Sequence, residues 1–309
     1  MKIEMKDIKK YVQKTIFFLK KAKDVFVKYA WRFLLFLKES WKSVIVFVPI
    51  FLVVYYLGGA FLSHKINTDL RFSSDNVKKG YAVVQVAADL IERETDKNLY
   101  TPNLPFVFPA YVLDNMPAFQ KGILESVRGL VDVLAEGSAE ENIIKAKELL
   151  DYAPDVWLFS KTKDFKIAPS SVAQYRKARR KLVEFNKHIQ KSDIVLEKIR
   201  AKISADLWNI SVYLESELKT VGFFNADDVF YEAFGRLYAD YLFLRSVQNN
   251  MPQTQSALKA LEDALSLKPL IVRGGTLGHT FGANHLLELS YFALKAHTFL
   301  LDGYFSSIR

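Results

Sequence analysis

Two groups of acidic residues have the side chains that acid–base catalysis requires. The first contains Asp89, Glu92 and Glu94, and the second contains Asp227, Asp228 and Glu232. Two carboxylates at a suitable separation can cleave a glycosidic bond, one as the acid and the other as the base or nucleophile. The second group stands at a predicted helix start, where acidic side chains stabilise the helix N-terminus. Because capping explains it without catalysis, we predict no catalytic residue.

Histidines near the C-terminus could contribute to a metal site. They are His279, His285 and His297, and Glu288 follows His285 by one helical turn. Imidazole nitrogens and carboxylate oxygens are zinc ligands, but this spacing matches no specific ligand pattern. A histidine and a glutamate often share a helix face by chance. We therefore predict neither a metal nor a cofactor.

A glycine-rich stretch, RGGTLGHTFGANH, precedes the last predicted helix. Its glycines, Gly274, Gly275, Gly278 and Gly282, would let backbone N–H groups converge ahead of a helix N-terminus, which favours a bound anion such as a phosphate or lipid headgroup. The alternative is a tight turn between two helices. These glycines are the candidate anion-binding residues.

The motifs of the commonest enzyme classes are missing. The sequence has no Walker loop, no HExxH, no GxSxG and no GxGxxG, and it has no cysteine. The lack of cysteine excludes disulfides, thiolate-bound zinc and a cysteine nucleophile. These absences favour a protein without chemistry of its own.

The segment SVIVFVPIFLVVYYLGGAFL, residues 43–62, carries no charge in a chain that is 25% charged. Twenty helical residues measure about 30 Å, the thickness of the hydrocarbon layer of a bilayer. A cleavable signal would have a short basic region and a shorter apolar run than this one. A core helix of this length would show a polar face. We predict an uncleaved transmembrane helix.

The positive charge is concentrated before this segment. Residues 1–42 carry twelve Lys or Arg and four Asp or Glu, a net charge of +8, whereas the rest carries 31 basic and 30 acidic residues. A balanced domain does not attract polyphosphate, so we predict no nucleic-acid binding. By the positive-inside rule, the arm is expected in the cytoplasm and residues 63–309 outside it.

The arm, residues 1–42, also has apolar residues at helical spacing, which predicts a basic amphipathic helix on an anionic membrane surface. The membrane-surface residues would be Lys9, Lys10, Lys14, Lys20 and Lys21. The alternatives are that the arm packs on another protein's membrane helices or extends the span inward.

Beyond the span, the pattern predicts a single all-α domain over residues 63–309, a bundle with one or two long helices. No Pro or Gly occurs between Pro169 and Gly222, so this run is either one helix or an antiparallel pair that turns near Lys191–Asp193. Ser138 and Glu141 have the spacing of a capping box. Further helices are expected at 227–248, 254–267 and 284–301.

One stretch, Thr101–Pro117, differs from the rest because its four prolines forbid a continuous helix. Its large apolar residues either plug the bundle as part of a buried crossing loop or form a binding surface for another envelope protein or lipid. Phe106, Phe108, Pro109 and Tyr111 are the candidate partner-binding residues.

Several stretches together resemble a family of bacterial inner-membrane proteins grouped as a domain of unknown function. They are TPNLPFVFPAYVLDNMPAFQKGI, APDVWLFS, SSVAQYRKARRKLVEFN, DDVFYEAFGRLYADYLFLR and GANHLLELSYFALKA. The resemblance covers most of residues 43–305. It implies a single-pass anchor and a helical periplasmic domain in a Gram-negative cell, and it brings no activity with it.

These observations together favour a membrane-anchored, non-catalytic scaffold or adaptor of the bacterial cell envelope. Its expected partners are the lipid bilayer and either other envelope proteins or a second copy of the chain. The alternative is an envelope enzyme that hydrolyses glycan or lipid with paired carboxylates.

Overall fold

The computed structural model describes residues 20–21, 23–35, 38–63, 66–72, 80–112, 115–158, 168–190, 192–222, 225–251, 254–269, 271–274 and 284–308. Within these ranges the regular secondary structure is entirely helical, which confirms the all-α prediction. The main helices are α1 (Trp41–Ser63), α2 (Ala82–Glu92), α3 (Asn115–Ala135), α4 (Glu141–Leu150), α5 (Ser171–His188), α6 (Asp193–Glu217), α7 (Ala226–Val247), α8 (Gln255–Leu265) and α9 (His285–Ile308). Helix α2 continues into a π-helical turn, Arg93–Lys97.

The chain divides into two compact units, residues 1–58 and residues 59–309. Among the described residues, one helix is long and apolar enough to cross a membrane. This segment of α1, Trp41–Leu62, has a mean hydropathy of 2.4, and only 6% of its most apolar window is buried. A core helix would be mostly buried, so the core-helix alternative does not describe α1.

The described part of the arm comprises residues 20–21, 23–35 and 38–42, and it is helical at 23–35. Lys20 and Lys21 are exposed, as are Phe26 and Trp31. Lys9, Lys10 and Lys14 lie outside the described residues. Contact of the basic residues with a membrane surface stays a prediction.

Helix α7 lies at the centre of the second unit and packs against α2, α3, α6, α8 and α9. Large apolar residues occur on all of its sides, and Phe230, Phe234, Tyr238 and Phe243 are all buried. A helix that is hydrophobic all round has to be covered by neighbours on every side. The other helices therefore surround α7, with α4 and α5 joined to α2 and α3, and α9 joined to α6 and α8.

The run after Pro169 contains two helices, since α5 ends at His188 and α6 begins at Asp193. The prediction of one continuous helix is wrong because the helix is interrupted. The prediction of an antiparallel pair is also wrong, because the two helices do not pack mainly against each other. Helix α5 packs mainly against α4 and α2, whereas α6 packs mainly against α9, α7 and α3. The apolar stripes of α5 and α6 are therefore buried against different helices of the bundle.

The start of α4 differs from the predicted capping box. The capping side chain belongs to Glu140, whose Oε2 accepts a hydrogen bond from the backbone N–H of Ile143 at 3.0 Å. The hydroxyl of Ser138 instead accepts from the backbone N–H of Glu140 at 3.2 Å. The helix thus begins later, because a glutamate that follows the serine provides the cap.

Candidate interaction surfaces

The first carboxylate group contains one fully buried member. Glu94 is 0% exposed, and its carboxylate accepts hydrogen bonds from Arg93 at 2.6 Å and Gln120 at 3.1 Å. Glu92 forms an ion pair with Arg179 at 2.6 Å. Glu94 is therefore a structural group of the core, and it cannot meet a substrate with its two neighbours in sequence.

The three acidic residues of the second carboxylate group lie in different environments. Asp227 and Asp228 lie in the first turn of α7, the position that capping predicts. Glu232 is half-buried, and this burial raises the pKa of its carboxyl, as does the charge of Glu125. Glu125 and Glu232 line a groove of about 240 Å³ together with Arg128. The sequence spacing missed this pair, because its members come from α3 and α7.

The histidines are far apart. His285 Nδ1 accepts a hydrogen bond from the backbone N–H of Arg273 at 2.9 Å, and His297 Nδ1 lies 3.0 Å from the hydroxyl of Ser204. The two histidines are twelve residues apart on α9, about 18 Å along the helix. No group of three or more metal-ligating residues is present in the described ranges, and His279 lies outside them.

The glycine-rich stretch is described only at Gly274. A Cβ atom there would lie 2.6 Å from the side chain of Leu286, so this glycine permits close packing on α9. At the start of α9, Asn284 Oδ1 accepts a hydrogen bond from the backbone N–H of Leu287 at 3.1 Å. Gly275, Gly278 and Gly282 lie outside the described residues, so the anion site stays a prediction.

A buried polar cluster around Arg93 ties the start of the second unit to its centre. The guanidinium of Arg93 lies over the rings of Phe72 and Tyr238, at 4.8 and 4.9 Å, and donates a hydrogen bond to Tyr238 Oη at 2.7 Å. Tyr238 Oη donates in turn to the backbone carbonyl of Asp69 at 2.8 Å. The residues after α1 are thereby held against α7. This cluster was not predicted from the sequence; the adjacent Arg93 and Glu94, directly after the apolar residues of α2, were the signal that could have indicated it.

The predicted partner-binding loop is exposed, so it does not plug the bundle. Phe106 is 68% exposed and Tyr111 56% exposed, while Phe108 packs edge-on against Trp157 with ring centroids 5.9 Å apart. We call Phe106, Val107, Phe108, Tyr111 and Trp157 the aromatic surface. Pro109 lies beneath it against Gly59. The loop has the exposure that a binding surface needs, and its binding role stays a prediction.

A second exposed apolar surface follows α6 and α9. These helices are antiparallel, since Arg200 donates to the carbonyl of Leu300 at 3.0 Å and Ser290 to that of Ser211 at 3.2 Å. The exposed apolar residues are Ile194, Ala201, Ala205, Trp208 and Val212 on α6, and Leu287, Tyr291 and Leu301 on α9. We call this set the α6–α9 face.

The α6 residues of this face recur at steps of seven, four, three and four, the spacing of a coiled-coil seam. At one end the face opens into a groove of about 820 Å³ lined by Ile194, Ala201 and Leu301. Such a seam on the surface of a folded domain can accept a helix from another chain.

The chain was compared with family models, with curated proteins and with solved structures. None of the three comparisons found a match.

Proposed function

We propose that this chain is a membrane-anchored, non-catalytic scaffold or adaptor of the bacterial cell envelope. Its arm would lie in the cytoplasm, α1 in the inner membrane and the helical domain in the periplasm. The excess of basic residues before α1 supports this orientation. The apolar and exposed surface of α1 supports the anchor.

The observation that carries the proposal is the α6–α9 face. The α6 stripe extends from Ile194 to Val212, about 27 Å along the helix. Large exposed apolar patches on folded domains mark interaction sites. Trp208 is 48% exposed, so a partner's side chains can pack against it. A protein helix that lies along α6 fits this shape.

Photo-crosslinking in intact membranes tests this proposal. A benzophenone amino acid replaces Trp208 or Val212 on the face, and Lys145 on the exposed side of α4 serves as the control. We expect discrete adducts from both face positions and none from the control. An adduct of twice the chain mass identifies a second copy, and another mass identifies a different partner. A lack of adducts at both face positions contradicts the proposal.

The groove that contains Glu125 and Glu232 supports a second candidate, an envelope hydrolase acting on glycan or lipid. A carboxyl whose pKa is raised beside a second carboxylate is the arrangement of a general acid with its base or nucleophile. However, Arg236 lies 3.6 Å from Glu125, so an ion pair also accounts for a carboxylate at this position.

Purified full-length protein incubated with peptidoglycan or phospholipid decides between the two candidates. The hydrolase predicts released product that disappears in Glu232→Gln while the helical content is unchanged. The scaffold predicts no release by either protein. Product release that Glu232→Gln abolishes would contradict the non-catalytic proposal.

A further inference from the structure

The loop Leu99–Val112 contains no charged residue, although it exposes several large side chains. Phe106, Val107 and Tyr111 of the aromatic surface are each more than half exposed, at 68%, 51% and 56%. Exposed aromatic residues without neighbouring charges in the same loop are unfavourable in water. They suit the interfacial zone of a membrane, where Trp and Tyr are enriched.

The place of this loop relative to the last residues of α1, from Gly59 onwards, is fixed by one contact. A Cβ atom on Gly59 would lie 2.3 Å from the ring of Pro109, so the proline packs directly on the helix backbone. Gly59 lies four residues before the end of α1, about 6 Å along the helix axis. The apolar segment ends at Leu62 and is followed by Ser63, His64 and Lys65. The loop therefore lies at the level where the apolar segment gives way to polar residues.

The loop is also held in position by the bundle below it. Gln120 Oε1 accepts hydrogen bonds from the backbone N–H and the hydroxyl of Thr101, at 2.9 and 2.8 Å. Asn103 Nδ2 donates to the backbone carbonyl of Val156 at 3.1 Å. Ala110 is buried between the exposed side chains. The bundle thus presents the aromatic side chains outward from a fixed backbone.

We propose that the aromatic surface inserts into the lipid headgroup region of the membrane that α1 spans. This inference rests on the proposed function, because it needs α1 in a bilayer. Its occupant is lipid, since the contact between Pro109 and Gly59 places the loop beside the end of the span. The surface then acts as a second attachment that holds the domain against the bilayer.

Depth-dependent quenching of tryptophan fluorescence tests this insertion. Replacing Trp31, Trp41 and Trp208 with Phe leaves Trp157 alone, and a matched protein keeps only Trp208. Each full chain is reconstituted into vesicles of phosphatidylcholine and phosphatidylglycerol with a nitroxide on the headgroup or near the end of the acyl chain. The two tryptophans are similarly exposed, 43% and 48%, so water alone does not distinguish them.

We expect Trp157 to lose fluorescence with the headgroup nitroxide and less with the deep nitroxide, while Trp208 changes little. Gly59→Leu should reduce this quenching because its side chain displaces Pro109. Gly58→Leu is the matched control, since no heavy atom lies within 4 Å of the Cβ position there. Both variants keep α1 apolar.

Vesicle flotation separates failure of this inference from failure of the anchor. A chain that does not float with the vesicles overturns both the anchor and the insertion. A chain that floats but whose Trp157 is quenched no more than Trp208 overturns the insertion alone. Equal quenching in the Gly58→Leu and Gly59→Leu proteins also contradicts the inference, because the contact at Gly59 is what places the loop at the membrane.

Discussion

Asp240 lies in the core and is 1% exposed. Charged groups from three helices interact electrostatically with its carboxyl. They are Lys202 of α6, Arg236 of α7 and Glu125 of α3. Burial raises the pKa of the Asp240 carboxyl from 3.8 to about 6, and the two cations only partly offset this. Burial also lowers the pKa of Lys202. The folded protein therefore holds the Asp240 proton more tightly than the unfolded chain does.

Asp240→Asn is expected to remove one source of pH dependence. Because the pKa is raised on folding, ionisation of Asp240 costs stability as the pH rises from about 4 through 6, by roughly 3 kcal/mol in total. An asparagine cannot ionise and does not incur this loss. The stability of the variant minus that of the parent protein should therefore be larger at pH 8 than at pH 5. Thermal unfolding of the full chain in detergent, followed by circular dichroism, measures this difference.

Glu184→Gln is the matched control for this experiment. Glu184 is partly exposed on α5, and its hydrogen bonds with Lys187 and His188 lower the pKa of its carboxyl. Its replacement should give no relative gain in stability at pH 8. If Asp240→Asn changes stability equally at pH 5 and pH 8, Asp240 does not titrate differently in the folded and unfolded states.

At the scale of helices, the contact between α3 and α7 depends on two glycines that face the opposite backbone. A Cβ on Gly122 would lie 2.1 Å from the carbonyl oxygen of Glu232, and one on Gly235 would lie 2.2 Å from that of Phe119. Helical backbone cannot move aside as a flexible side chain can. Both positions therefore require glycine for the helices to pack at this distance.

Gly122→Ala and Gly235→Ala are each expected to destabilise the protein. Alanine favours a helix by about 0.5–1 kcal/mol over glycine. Separating α3 from α7 should cost more, about 1–3 kcal/mol as in other overpacked cores. Gly222→Ala is the control, because no heavy atom lies within 4 Å of its Cβ position. Thermal unfolding should show a lower midpoint for the two helical variants only. An unchanged midpoint in both would contradict the close packing.

The helices were predictable from the sequence because each apolar stripe is local. The predicted helices at 227–248 and 254–267 match α7 and α8 closely. Their pairing was not predictable, since neighbouring stripes such as those of α5 and α6 are equally apolar and the sequence does not show which ones meet. The juxtaposition of Glu125 and Glu232 depends on that pairing and was missed for the same reason. The contact of Pro109 with Gly59, fifty residues away, was not predictable for the same reason.

At the scale of the whole chain, the start of α1 separates a strongly basic segment from a segment with nearly balanced charge. The twelve basic residues of the arm precede α1, and the remaining 267 residues are balanced to within one charge. Such a distribution favours retention of the arm in the cytoplasm during membrane insertion. Because the chain has no cysteine, a single introduced thiol reports on its own position without further substitutions.

Single cysteines at three positions test both the span and its orientation in intact spheroplasts treated with a membrane-impermeant maleimide. We expect Lys145→Cys on α4 to be labelled at once and Lys28→Cys in the arm only after the membrane is permeabilised. Val53→Cys, in the middle of α1, should react in neither case, because a thiol within hydrocarbon does not ionise to the reactive thiolate. The reverse labelling pattern at Lys28 and Lys145 would show that the protein has the opposite orientation in the membrane. Rapid labelling at Val53, whose side chain is 56% exposed on the isolated helix, would mean that α1 does not lie in lipid.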